Sequence, residues 1–299
     1  RGHQVTLFAS GDSDTAAKLI PGWNQALRRA RLASMTNVGI AVHYRLLSMV
    51  YERASDFDVI HAHVDYWSFP FARLVTTPSI TTMHGRLDIE QLHPIYRHYP
   101  DIPVVSISDS QRKPLPDMNW VGTVYHGLPS GLLRFNPGPG KYLAFLGRIS
   151  PEKGTDLAID VAIKAGVPIK IAAKVDDVDR EYFNKVIEPK LMEPGVEYIG
   201  EIDDSKKSDF LGNALATIFP IDWPEPFGLV MVESMGCGTP VIARPLASVP
   251  EVLNEGVTGL TAMDLDGLVA AVKKVSTISR RRCREEFEAR FTVESMGAK

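Results

Sequence analysis

Short β-branched runs alternate with helix-patterned segments along this chain, and the alternation restarts after a break at 136–140, Asn-Pro-Gly-Pro-Gly. Strands that alternate with helices bury both their faces only in a parallel sheet covered by helices on each side. In the first half the strand-like runs are 5–9, 59–63, 79–83, 104–107 and 121–125. In the second half they are 142–147, 169–173, 196–199, 216–219 and 240–243, with helices over 155–165, from about 179, and over 206–213. The longest helical pattern is 26–54, and its Arg28, Arg29 and Arg31 read as a solvated face. The expectation is an α/β protein of two facing Rossmann-like domains, residues 1–136 and 141–278. A C-terminal helical segment, 279–299, is expected to cross back to the first domain. In a doubly wound sheet a run such as 5–9 follows a first strand, a Gly-rich turn and a helix. None of these precedes it here, so the first domain is expected to lack them.

Composition narrows the function classes. At 299 residues, 44% hydrophobic and 23% charged, the chain is an ordinary globular one with room for two cores. A net charge of −3 gives no case for nucleic-acid binding. The first 136 residues carry +2 and the remainder −5, too small an imbalance to name a partner. Two cysteines, Cys237 and Cys283, are too few for a disulfide framework or a zinc site. No apolar run has spanning length and no signal-peptide pattern is present, so the expectation is a cytoplasmic protein, with peripheral membrane contact left open.

The chemistry concentrates in two loops of the second half. Residues 225–233, Glu-Pro-Phe-Gly-Leu-Val-Met-Val-Glu, place two carboxylates around a turn that opens a helix. Gly228 permits close approach of the backbone, Leu229, Val230, Val232 and Met235 form the inward face, and Gly236, Gly238 and Pro240 end the helix. Helix amides suit a phosphate and the flanking acids suit sugar hydroxyls, so a nucleotide sugar satisfies both. The other loop, 146–155, Leu-Gly-Arg-Ile-Ser-Pro-Glu-Lys-Gly-Thr, follows the first strand of that half. Its Arg148 and Lys153 can meet a diphosphate, one as a fork and the other as a point charge. A basic pair in a strand–helix loop is usually plain surface; its pairing with the acid-flanked helix start gives it meaning.

Gly147-Arg148 with Lys153-Gly154, and Glu225 with Glu233, are the two donor-site signatures of a family the chain resembles, the family 4 glycosyltransferases of GT-B architecture. The resemblance extends through 1–7, 57–63, 81–85, 106–110 and 124–128, nearly the whole chain. It implies that Arg148 and Lys153 bind the donor diphosphate and stabilise it as it leaves. It implies that Glu225 holds the transferring sugar, that Phe227, Gly228 and Leu229 offer backbone amides, and that Glu233 binds the ribose hydroxyls. His84 would face the donor sugar across the cleft. His61 and His63 are read as pointing to opposite faces of their strand, one packing and one lining the cleft. His63, Asp65 and Tyr66 form the acceptor side. The chain departs from the family pattern at 247–251, Ala-Ser-Val-Pro-Glu, where a Gly-Gly usually precedes Pro-Glu, and at His126, where Asn is usual.

The resemblance also implies transfer with retention at the anomeric carbon. The expected route is a front-face displacement without an enzymic nucleophile, unlike the paired carboxylates of many glycosidases. There is no Asp-x-Asp signature suited to a divalent metal, so no metal is expected, and no cofactor beyond the nucleotide sugar as co-substrate. UDP-glucose is the default donor, and the acceptor is a hydroxyl on a small molecule, lipid or glycan. The rival readings are a nucleotide-sugar epimerase, which needs no acceptor, and a non-catalytic nucleotide-sugar-binding protein.

Overall fold

The computed structural model describes residues 2–30, 32 and 36–299. Arg1 and Arg31, named above, lie outside them. By packing the chain divides into two units: Arg1–Gly85 with Glu90–Val105 and Asp117–Gly122, and Arg86–Ile89 with Ser106–Pro116 and Thr123–Lys299.

In the first unit β1 (Thr6–Ser10) pairs in parallel with β2 (Lys18–Trp23). A second sheet runs in the order β3 (Ile60–Ala62), β4 (Ser79–Thr82), β5 (Val104–Ser106), β6 (Trp120–Thr123). Strand β2 was not foreseen, because Pro21 and Gly22 read as breakers; as an edge strand it tolerates both. The helix expected over 26–54 is shorter, Thr36–Tyr51. Residues 27–30 form a turn tied to the loop after β1: the Ala26 N–H donates to Asp12 Oδ1 at 2.8 Å and Arg29 pairs with Asp12 at 3.0 Å. That tether competes with the helical hydrogen bonds that the pattern favoured.

The second unit holds one six-stranded sheet: β7 (Leu143–Arg148), β8 (Ile169–Lys174), β9 (Val196–Gly200), β10 (Ala216–Phe219), β11 (Val241–Ala243) and β12 (Gly259–Thr261). Its spatial order is β9-β8-β7-β10-β11-β12, and every pairing is parallel. This is the doubly wound order, which reverses direction between β7 and β10. The central strands are buried on both faces, with Leu143, Ile169, Ile171, Ile218, Val241 and Ile242 at 1% exposure or less. Each such side chain stabilises the fold by about 1.5–3 kcal/mol. The expected helix from about 179 is a run of short helical turns from Asp177 to Lys190, π-helical over Phe183–Ile187. The C-terminal helices Arg280–Arg290 and Val293–Ala298 pack within this same unit, where Phe287 and Phe291 are fully buried. Among the described residues no helix is long and apolar enough to cross a membrane.

Candidate active site

In an open doubly wound sheet a ligand binds beyond the carboxyl ends of the strands, where the order reverses. Here that point lies beyond β7 and β10, and the two loops singled out by sequence leave those two strands. Arg148 is the last residue of β7, and Lys153 closes the tight turn Pro151–Lys153. Gly154 follows with φ 69°; a Cβ there would come within 2.5 Å of the Pro220 carbonyl oxygen, so only glycine lets the two loops meet. The Asp222 N–H donates to the Glu152 carbonyl oxygen at 2.8 Å and laces them further.

The loop after β10 ends at Gly228, which adopts φ 82° and starts the Leu229–Gly236 helix. The first amides of that helix have no acceptor within it. Phe227 is 1% exposed and packs edge-on against His126, ring centroids 5.0 Å apart, so its side chain anchors the turn while its backbone bounds the site. Leu229 is 40% exposed at the helix start.

Lys153 and Glu225 form an ion pair through Nζ and Oε2, with side chains only 17% and 12% exposed. The Trp223 indole N–H donates to the same Oε2 at 3.0 Å, and Lys153 Nζ lies 4.3 Å from the Trp223 ring centroid. Sequence reasoning missed Trp223; the signal was an aromatic with a polar handle two residues before the acid.

Glu233 is the fifth residue of the helix, about one turn from its start, and is 8% exposed. Burial pushes its carboxyl above the ordinary glutamate range, and Lys207, 2.7 Å from its Oε1, draws it back. Lys207 also pairs with Asp204 at 2.8 Å. It too was missed, since nothing in the local pattern of the 206–213 helix links it to position 233.

Arg148 is held differently from Lys153. Its guanidinium faces Glu152 at 3.1 Å, Asp176 at 3.4 Å and Asp179 at 3.8 Å. The side chain remains 42% exposed, leaving donors of its fork toward solvent. At the 247–251 departure Glu251 is committed to the protein, accepting the N–H groups of Asp109 at 2.7 Å and Ser110 at 2.6 Å.

The first unit gathers its own polar cluster. His63 Nδ1 and His84 Nε2 are 2.9 Å apart, and the backbone N–H of His84 donates to Asp65 Oδ1 at 2.9 Å. Asp65 takes φ 48°, a left-handed conformation that Asp tolerates better than most residues. Burial lowers the pKa of His84, opposed by the charge of Asp65, and burial followed by the nearby His84 lowers that of His61. Tyr66 packs edge-on against Tyr96, centroids 5.5 Å apart. The expected opposition of His61 and His63 is wrong: their ring centroids are 4.3 Å apart, because residues i and i+2 of a strand share a face.

The sequence pattern of the glycosyl transferases group 1 matches residues 134–289, which contain Arg148, Lys153, Trp223, Glu225 and Glu233. The chain belongs to that family. Among its relatives, phosphatidyl-myo-inositol mannosyltransferase of Mycolicibacterium smegmatis is 27% identical, over 91% of this chain and 76% of that protein. The enzyme of the same name from Mycobacterium leprae is 26% identical, over 97% and 82%. In fold the chain is similar to Anabaena Alr3699/HepE in complex with UDP, with a TM-score of 0.76 and 17% identity over 94% of this chain and 84% of that one. It is likewise similar to sucrose-phosphate synthase from Thermosynechococcus elongatus, with a TM-score of 0.74 and 17% identity over 99% and 87%. The expected two-domain, Rossmann-like GT-B architecture is therefore met, and so is the expectation of a glycosyltransferase enzyme.

Proposed function

We propose that this glycosyltransferase moves a hexosyl group from a UDP-sugar, UDP-glucose by default, to a hydroxyl acceptor with retention of anomeric configuration and without a divalent metal. One observation carries the reading. The Lys153–Glu225 pair lies beside the start of the helix that carries Glu233, beyond the two strands where the sheet order reverses. That grouping offers a cation and amides for a diphosphate, one carboxylate for sugar hydroxyls and a second for the ribose. The binding of UDP and of UDP-glucose by the Anabaena protein supports the choice of base and sugar.

In this mechanism Lys153 and the amides around Gly228 take up charge on the departing diphosphate. Arg148 assists with the donors its carboxylates leave open. Glu225 orients the sugar rather than attacking it. The acceptor oxygen bonds to the anomeric carbon as the bond from that carbon to the phosphate oxygen breaks on the same face. The acceptor's proton passes to the departing phosphate. His84 contributes on the donor sugar, and His63, Asp65 and Tyr66 on the acceptor side.

The names of the relatives favour a second reading, in which the donor carries mannose and the acceptor is a lipid hydroxyl. Calorimetric titration with UDP-glucose, GDP-mannose and ADP-glucose separates the two. The proposal expects UDP-glucose to bind at least tenfold more tightly than the others. It also expects turnover to survive EDTA and to yield the α-anomer from an α-donor by NMR; preference for GDP-mannose, loss of activity in EDTA, or an inverted product contradicts it.

A further inference from the structure

The loop after β10 is built to hold an indole against the Lys153–Glu225 pair. The Glu225 N–H donates to the Trp223 carbonyl oxygen at 2.9 Å, closing a three-residue turn around Pro224. Such a turn needs a central φ near the value that proline's ring imposes. Upstream, Asp222 is fixed by its N–H bond to Glu152 and by an ion pair with Arg244 at 3.0 Å. The backbone on both sides of Trp223 is thereby set, and the indole and the Glu225 carboxylate fall on one side of the turn.

The contacts then divide the carboxylate. An indole N–H only donates, and it donates to Oε2, the same oxygen that Lys153 engages. Oε1 accepts no hydrogen bond from the described residues. The cation of Lys153 also lies over the indole face at 4.3 Å, so a single side chain steadies both members of the ion pair.

We propose that Trp223 is a positioning residue for transfer: its N–H fixes Glu225 by one oxygen so that the other is presented to the hydroxyls of the transferring sugar, and its ring keeps Lys153 beside the leaving diphosphate. This rests on the donor-site reading above. A lysine–glutamate pair alone can rotate about the carboxylate and offer either oxygen. The indole removes that freedom, so the sugar meets a preformed acceptor. Trp223 touches neither sugar nor phosphate in this scheme.

The substitution that isolates the N–H is Trp223→Phe, which keeps an aromatic face for Lys153. The probe is UDP-glucose, followed by its hydrolysis in the absence of an acceptor. Trp223→Phe is expected to lower kcat about tenfold while KM for UDP-glucose and the affinity for UDP stay within about twofold. In a Glu225→Gln background the same change is expected to lower kcat less than about twofold further, because the oxygen it positions is already altered. A readout independent of turnover is the indole N–H resonance of Trp223, one of four tryptophans, identified by its loss in Trp223→Phe. Glu225→Gln is expected to shift that resonance more than the other three. An unchanged kcat in Trp223→Phe, an equal further loss in the Glu225→Gln background, or an indole resonance indifferent to Glu225→Gln overturns the proposal. Failure of the wild-type protein to bind UDP or hydrolyse UDP-glucose overturns the donor-site reading itself, and the proposal with it.

Discussion

At the scale of single residues, the two glutamates of the motif live in different electrostatic settings. Glu225 is half-committed to Lys153 and Trp223, whereas Glu233 is a buried carboxylate whose only cation partner among the described residues is Lys207. Burial raises the pKa of Glu233, with Lys207 opposing it. If the ionised carboxylate binds the ribose, nucleotide affinity is full above that raised pKa and falls as pH drops through it, at a higher pH than an ordinary glutamate would give. Lys207→Met removes the opposing charge, so its inflection moves upward in pH, and Lys207→Arg restores it. UDP affinity measured against pH in the three proteins checks this; superimposable curves for wild type and Lys207→Met contradict it.

At the scale of elements, β7, β8, β10 and β11 were legible because each is a short apolar run largely buried on both faces, whereas the edge strand β9 leaves Glu197 and Ile199 exposed. The site loops were legible because their glycines, proline and charges fall at fixed offsets from those runs. What escaped had a physical reason in each case. β2 carries Pro21 and Gly22 inside it, and β12 is three residues long with Gly259 at its start. The 26–54 pattern was helical in periodicity, but Asp12 holds its first part in a turn. Lys207 and Trp223 contact the motif side chains only because distant segments fold together, which no local period encodes. The two left-handed glycines around the Thr155–Ala165 helix provide a test of the loop packing. Gly154 and Gly166 both have φ 69°, yet a Cβ meets the Pro220 carbonyl oxygen at 2.5 Å in the first and nothing within 4 Å in the second. Gly166→Ala should cost about 1 kcal/mol from backbone conformation alone. Gly154→Ala should cost more than about 2 kcal/mol, because backbone has to move. Denaturant unfolding of both variants reads the difference, and equal losses contradict the packing described for the site.

At the scale of the whole molecule, Arg148, Lys153, Glu225 and Glu233 belong to one unit and the histidine cluster to the other. The second unit is closed by its last helices rather than by its sheet alone. Arg280 donates to the carbonyl oxygens of Asn136, Ala214 and Gly212 and to Thr239 Oγ1, at 2.7–2.9 Å, tying the Arg280–Arg290 helix to three separated segments. Both cysteines are buried free thiols whose pKa burial pushes up to about 12, which favours the protonated thiol over the thiolate. Nucleotide binding is therefore a property that the second unit's own residues should supply, whatever the acceptor. The most direct measurement is calorimetric titration of UDP and of 2′,3′-dideoxy-UDP into the wild-type protein and Glu233→Ala. The account predicts that wild type binds UDP at least tenfold more tightly than the dideoxy analogue, and that Glu233→Ala loses that preference. Equal affinities for the two nucleotides in the wild-type protein, or a preference that persists in Glu233→Ala, would contradict it.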